Sequence, residues 1–175
     1  MIIAESGFSK FKYFLSDINR SSIGILKLPT YFAAPRNSPT NDAAPYCLQD
    51  FVKIQLPERE YTVEYELLSN RAVRGNDLKF LLIDGEKILA SANVYILKKI
   101  RWEIDVNNQR YNLVKRSNCF KMRFDIFQNG QKIGHIHDVT GFTFWKQTFE
   151  IDLPSEILSA VQVFVFFLCI NATFR

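Results

Sequence analysis

Cysteine is scarce in this sequence. Cys47, Cys119 and Cys169 are the only three in 175 residues, and no two are close together. Disulfide frameworks use even counts and zinc sites use close pairs, so neither is expected to organise the fold. The thiols read as free, in a reducing compartment. Histidine is scarcer still, with only His135 and His137. No Ser–His or Cys–His pair can therefore be assembled away from that one stretch. Seven glycines and six prolines are too few for a collagen-like or low-complexity chain. Neither charge prevails: 22 Lys and Arg against 18 Asp and Glu leave a formal +4, too little to call for nucleic acid. No apolar run reaches the ~18 residues of a membrane-spanning helix. The start, Met1-Ile2-Ile3-Ala4-Glu5, lacks a basic segment, and Glu5, Ser6 and Lys10 interrupt any apolar one, so no signal peptide is expected. Lipidation motifs are missing at both ends. So are the Gly-x-Ser-x-Gly, His-Glu-x-x-His, P-loop and dinucleotide signatures. These absences leave no catalytic residue, cofactor or metal to assign. They place the chain in the cytoplasm, with peripheral membrane contact as the one extension.

What is present is aromatic and β-forming. Sixteen Phe and seven Tyr sit in a chain that is 47% hydrophobic and 23% charged. A chain this long buries about two-thirds of its unfolded surface, enough for one self-sufficient core.

Residues 6–19 carry Phe8, Phe11, Leu15 and Ile18 at helical spacing, which predicts a short amphipathic N-terminal helix. A strand is expected over Ile23 to Leu28, then a loop over residues 35–45, dense in Pro, Asn and Ser. The expected division is an N-terminal extension, 1–45, before a β domain, 46–175. A strand at Phe51 to Leu56 opens that domain, and Tyr61, Val63, Tyr65 and Leu67 share one face of the next. Three hairpin signals follow, Asp84-Gly85, Asn107-Asn108 and Asn129-Gly130, each between apolar runs. They predict an antiparallel meander, with a further strand in Phe142 to Leu153.

Two registers follow from parity. A two-residue Asn107-Asn108 turn sets Val106 against Gln109, Ile104 against Tyr111, Trp102 against Leu113, and Asp105 against Arg110, so apolar meets apolar. It also sets Lys99 against Arg116. The same treatment of Asn129-Gly130 would turn His135 and His137 onto the apolar face. A three-residue loop, Gln128-Asn129-Gly130 with Gly130 at positive φ, restores the parity. It sets Met122 against Ile136 and Phe124 against Gly134, and it returns both histidines to the face of Lys121 and Arg123.

After a helix-start signal at Asp152 to Glu156, the run Ile157 to Ile170 holds only Ser159 and Gln162 as polar members. Fourteen residues of helix span roughly 21 Å, short of a ~30 Å hydrocarbon core, so a buried helix is expected. Val163 to Phe167 alone carries strand propensity. A helix apolar on every side must be enclosed. An eight-stranded barrel fills with its own side chains, whereas a larger one can hold a central helix. About ten candidate strands put the larger barrel within reach.

Three stretches carry a family resemblance. They are Lys99-Ile100-Arg101-Trp102-Glu103-Ile104 with Arg110-Tyr111-Asn112-Leu113, then Phe124 to Gly134, and the terminal helix. Over roughly residues 46–175 the chain resembles the tubby C-terminal-like superfamily, most of all the LURP-one-related proteins, which are akin to phospholipid scramblases. The resemblance implies a mainly β (α+β) fold: a closed antiparallel barrel of about twelve strands around the C-terminal helix. Tubby proteins bind phosphoinositides and scramblases act at membranes. Neither the phosphoinositide-binding residues nor a calcium site has a counterpart that can be placed here, so neither is carried over.

The remaining chemistry lies in charge. His135-Ile136-His137 puts two imidazoles on one strand face, but Lys121 and Arg123 opposite them would repel a metal ion. Residues 98–132 hold nine cations and three anions. The registers place Lys99, Arg101, Arg116, Lys121 and Arg123 on outer faces of neighbouring strands. Such a band solubilises a barrel, and it also suits an anionic membrane surface, a phosphoinositide headgroup or an acidic protein partner. The sequence therefore reads as a non-enzymatic binding or scaffold domain with no membrane span. A lipocalin-like carrier of an apolar ligand and an enzyme with an unrecognised site are the alternatives.

Overall fold

The computed structural model describes residues 1–7, 11–28, 52–67, 78–95, 101–116, 121–141 and 146–173. Twelve strands lie among them: β1 (Ile2–Ser6), β2 (Lys12–Asp17), β3 (Ser22–Lys27), β4 (Val52–Gln55), β5 (Glu60–Leu67), β6 (Leu78–Asp84), β7 (Lys87–Tyr95), β8 (Arg101–Val106), β9 (Gln109–Lys115), β10 (Arg123–Gln128), β11 (Gln131–Asp138) and β12 (Thr148–Asp152). One helix, α1 (Ser159–Thr173), follows them. Each strand pairs antiparallel with its sequence neighbours, and β1 pairs β12 to close the barrel. Closure leaves no open sheet edge.

The expected N-terminal helix is not formed. Residues 2–6 and 12–17 are barrel strands instead, and the pattern Lys12-Tyr13-Phe14-Leu15 explains why. Tyr13 and Leu15 are buried while Phe14 is exposed, an alternation of period two. The helical spacing also included Ile18, which is exposed at the β2–β3 turn. The decisive term is tertiary: β1 supplies the partner that β12 would lack, with Ile2 facing Ile151 and Ala4 facing Phe149. Strands β1 to β3 thus belong to the barrel, although they precede the expected boundary at residue 45. The loop expected over 35–45 lies outside the described residues.

The second hairpin has the register that parity required, Val106 with Gln109 through Trp102 with Leu113. Its Asn107 and Asn108 both take positive φ. The third hairpin reaches the expected parity by another route. Its loop is the two residues Asn129 and Gly130, with Gln128 paired to Gln131. The extra residue sits inside β11: Phe127 pairs Lys132 while Ile126 pairs Gly134, so Ile133 forms a bulge. Phe124 therefore faces Ile136, not Gly134. Gly130 does lie at positive φ, 81°. Gly134 carries a separate constraint: a Cβ there would stand 2.3 Å from the carbonyl oxygen of Asp152. The bulge needs that close approach of β11 to β12, and only glycine allows it.

Among the described residues, the turns at 18–21, 57–59, 85–86, 107–108 and 129–130 lie at one end of the barrel, and the chain enters the lumen there after β12. The helix begins at Ser159, later than the Pro154-Ser155 signal suggests, because a turn intervenes in which the Ile157 amide donates to the Pro154 carbonyl at 3.1 Å. Gln162, buried in the first turn of α1, donates its amide to the Ile157 carbonyl at 2.8 Å, so its polar group is satisfied. Leu158 is exposed, and every residue from Ala160 to Asn171 is buried.

Successive residues of α1 reach opposite walls of the barrel. Phe166 packs edge-on to Tyr13 of β2 at 5.3 Å and against Phe149 of β12 at 5.2 Å. Phe167 packs edge-on to Phe80 of β6 at 5.5 Å. Strand and helix side chains form one continuous core. Among the described residues no helix is long and apolar enough to cross a membrane.

Candidate functional site: the charged face of β9 to β12

Strand alternation sends Trp102, Ile104, Leu113, Phe124, Ile126 and Ile136 inward, which leaves the intervening residues of β8 to β11 outside. Most ion pairs on the rest of the barrel are one to one and exposed: Lys53 with Glu60, Lys79 with Glu66, Arg59 with Asp84, Arg110 with Asp105. The outer face of β10 differs. Asp125 is nearly buried although it points outward, and three cations converge on it. Lys132 Nζ stands 2.7 Å from one carboxylate oxygen, Arg123 Nε 3.7 Å from the same oxygen, and Arg116 Nε 3.6 Å from the other. Burial alone would raise the Asp125 pKa. The contact with Lys132 and the charges of Arg123 and Arg116 outweigh it and hold the carboxyl below its usual value. One anion for three cations leaves two positive charges in excess, on side chains that are 39–57% exposed.

Backbone geometry fixes this cluster. The Arg116 amide donates to the Arg123 carbonyl at 2.8 Å, which carries the β9–β10 ladder past the end of β9. The two-residue Asn129-Gly130 turn sets Lys132 opposite Phe127 on the outer face, and the bulge at Ile133 brings His135 opposite Asp125. Lys121, two residues before β10, is exposed beside the cluster. Of the five cations expected to share this face, Arg116 and Arg123 are brought together and Lys121 adjoins them. Lys99 and the side chain of Arg101 lie outside the described residues, and Arg101 is placed only by its backbone, at the start of β8. Sequence reasoning missed the organising role of Asp125 and Lys132. The available signal was that Asp125 is the only acid between Arg110 and Lys132 in the sequence.

The two histidines stand on the same outer surface, one strand further on. Their rings stack with centroids 4.9 Å apart. Each also faces a carboxylate on β12: His135 Nδ1 is 3.6 Å from Asp152 and His137 Nε2 is 3.5 Å from Glu150. On the other flank His135 pairs in register with Asp125, and His137 with Arg123. Desolvation, then the neighbouring His137, pushes the His135 pKa down; Asp152 opposes this, and Lys132 and Arg123 add to it. Among the described residues no group of three His, Cys, Asp or Glu side chains is arranged to hold a metal ion. Cys119 lies outside those residues. Cys169 is fully buried on α1, where desolvation raises its pKa well above the ordinary thiol value, so it is held as the inert thiol.

No family model, curated protein or solved structure matches this chain.

Proposed function

We propose that this chain is a tubby-like barrel, of the LURP-one-related kind, that acts as a non-enzymatic docking or scaffold domain. Its basic outer face contacts an anionic membrane surface, with phosphoinositide headgroups or an acidic protein surface as the related partners. The site would work in the cytoplasm, at the membrane periphery. The closed twelve-stranded barrel with its enclosed C-terminal helix supports the architectural part. The functional part is carried by one observation: Arg116, Arg123 and Lys132 converge on the single carboxylate of Asp125. Three cations held together repel one another, an arrangement that mere solubility does not require. A polyanion relieves that repulsion. The carrier alternative has less support, because α1 occupies the lumen that an apolar ligand would need.

Vesicle co-sedimentation of the purified chain tests this reading. Binding is expected to phosphatidylcholine vesicles that contain phosphatidylglycerol or phosphoinositide, and not to phosphatidylcholine alone. It should weaken as salt shortens the Debye length from ~10 Å at 0.1 M to ~3 Å at 1 M. Equal binding to neutral and anionic vesicles would refute it.

A further inference from the structure

The histidine pair adjoins the cation cluster, and its protonation changes the charge of the whole face. The groups on this surface can be followed strand by strand. Arg116 follows β9. Arg123 and Asp125 lie on β10. Lys132, His135 and His137 lie on β11, and Glu150 and Asp152 on β12. Beyond β12, β1 sets the apolar Ile3 against Glu150. Asp138 lies outside this set; its charge bears on Tyr13. With neutral imidazoles the set is close to balance: Arg116, Arg123, Lys132 and the adjoining Lys121 stand against Asp125, Glu150 and Asp152, one net positive charge. The acids of β12 then offset the basic excess around Asp125. With both imidazoles protonated, Glu150 and Asp152 are each neutralised by the histidine facing them at 3.5 and 3.6 Å, and the face carries three net positive charges.

We propose that His135 and His137 make this face a proton-dependent docking surface for anionic bilayers. Contact is weak while the imidazoles are neutral and strong once they are protonated. The inference rests on the basic-face reading above and adds its regulation. The geometry opposes protonation of His135 in the free protein: its ring is partly buried and stacked on His137, and Lys132 and Arg123 stand beside it. An anionic surface removes that opposition, so proton uptake and bilayer binding favour each other. The depressed His135 pKa, set foremost by desolvation, points the same way.

The experiment is flotation of the full chain with phosphatidylcholine vesicles, with and without phosphatidylglycerol, at about pH 7.5 and about pH 5.5, either side of the imidazole range. A cation near an anionic membrane is worth about fivefold in binding, so two protons should raise affinity for the anionic vesicles by up to about twenty-five-fold. The double variant His135→Asn, His137→Asn should match the wild type at the higher pH and show no gain at the lower one. Imidazole titration by NMR on the wild type reads the reverse linkage: anionic vesicles must raise the histidine pKa values, whatever the variant does. A gain retained in full by the double variant, or pKa values unmoved by vesicles, overturns the switch. Binding that is equally strong at both pH values overturns the switch and leaves the docking surface standing. Absence of binding at both overturns the two together.

Discussion

Phe166→Ala probes the enclosure of α1 most sharply. The ring is fully buried and sits between two others, Tyr13 at 5.3 Å and Phe149 at 5.2 Å, which also meet each other at 6.1 Å. Truncating a buried Phe removes its transfer free energy and leaves a cavity, about 3–5 kcal/mol together. Each lost ring pair belongs to the class worth about 0.5–1.5 kcal/mol beyond area burial, which places this site high in that range. The barrel wall is hydrogen-bonded all the way round and cannot collapse onto the gap. A loss of about 4 kcal/mol would be a large part of the roughly 5–15 kcal/mol that holds a domain folded. Leu158→Ala is the matched control, one residue before the helix and 56% exposed, and it should stay within about 0.5 kcal/mol of wild type. Urea unfolding measures both, provided the m-value is unchanged. A loss at Phe166 below about 1 kcal/mol would mean that α1 is not packed inside the barrel, and the fold argument would fail.

Three further outcomes follow from particular atoms. Gly134→Ala should destabilise by about 1–3 kcal/mol in the same assay, because its Cβ would press on the Asp152 backbone and β11 would have to leave β12; a neutral result would show that the bulge is not needed. Asp125→Asn should lower stability by about 1 kcal/mol, a figure already reduced for the exposure of its partners, yet strengthen binding to anionic vesicles in co-sedimentation. Since the folded Asp125 pKa is depressed, its contribution is present above the unfolded value of about 3.9 and fades as pH falls through the folded one, so wild type and variant should converge in acid. Tyr13→Phe should be neutral or stabilising in urea, because the Tyr13 hydroxyl is buried without a hydrogen-bond partner. Burial foremost, and Asp138, push its pKa up to about 12. The wild type should therefore lose stability relative to Tyr13→Phe as pH rises from about 10 toward 12.

Hairpins were the most legible part of this fold in sequence, because turn type and side-chain parity over-determine them. The Asn107-Asn108 register follows from residues that are all local. The Asn129-Gly130 hairpin shows the limit of that reasoning. Parity requires one extra residue in the hairpin, but it cannot say whether that residue is Gln128 in the loop or Ile133 inside β11. The space that decides it lies between Gly134 and Asp152, on a strand met later in the chain. The N-terminal strands were misread for a related reason: Phe11, Leu15 and Ile18 suit a helix locally, and only the unpaired flank of β12 makes a strand worth more. The run from Ile157 was legible as an enclosed helix because no face of it is polar, whereas its start at Ser159 depends on a turn that has to redirect the chain into the lumen. In the candidate site, outward cations were legible from alternation. Their convergence on Asp125, and the facing of His135 and His137 by Asp152 and Glu150, depend on inter-strand registers that no local pattern encodes.

The account's central functional claim is that the cations around Asp125 are what meets an anionic surface. Vesicle flotation of Arg116→Gln, Lys121→Gln beside the wild type tests it most directly, since both side chains are exposed and neither change removes core packing. At about pH 5.5 the wild type should float with phosphatidylglycerol-containing vesicles and not with phosphatidylcholine, and the double variant should bind about twenty-five-fold more weakly at unchanged stability. Equal flotation of wild type and variant, or flotation of neither, would contradict the claim.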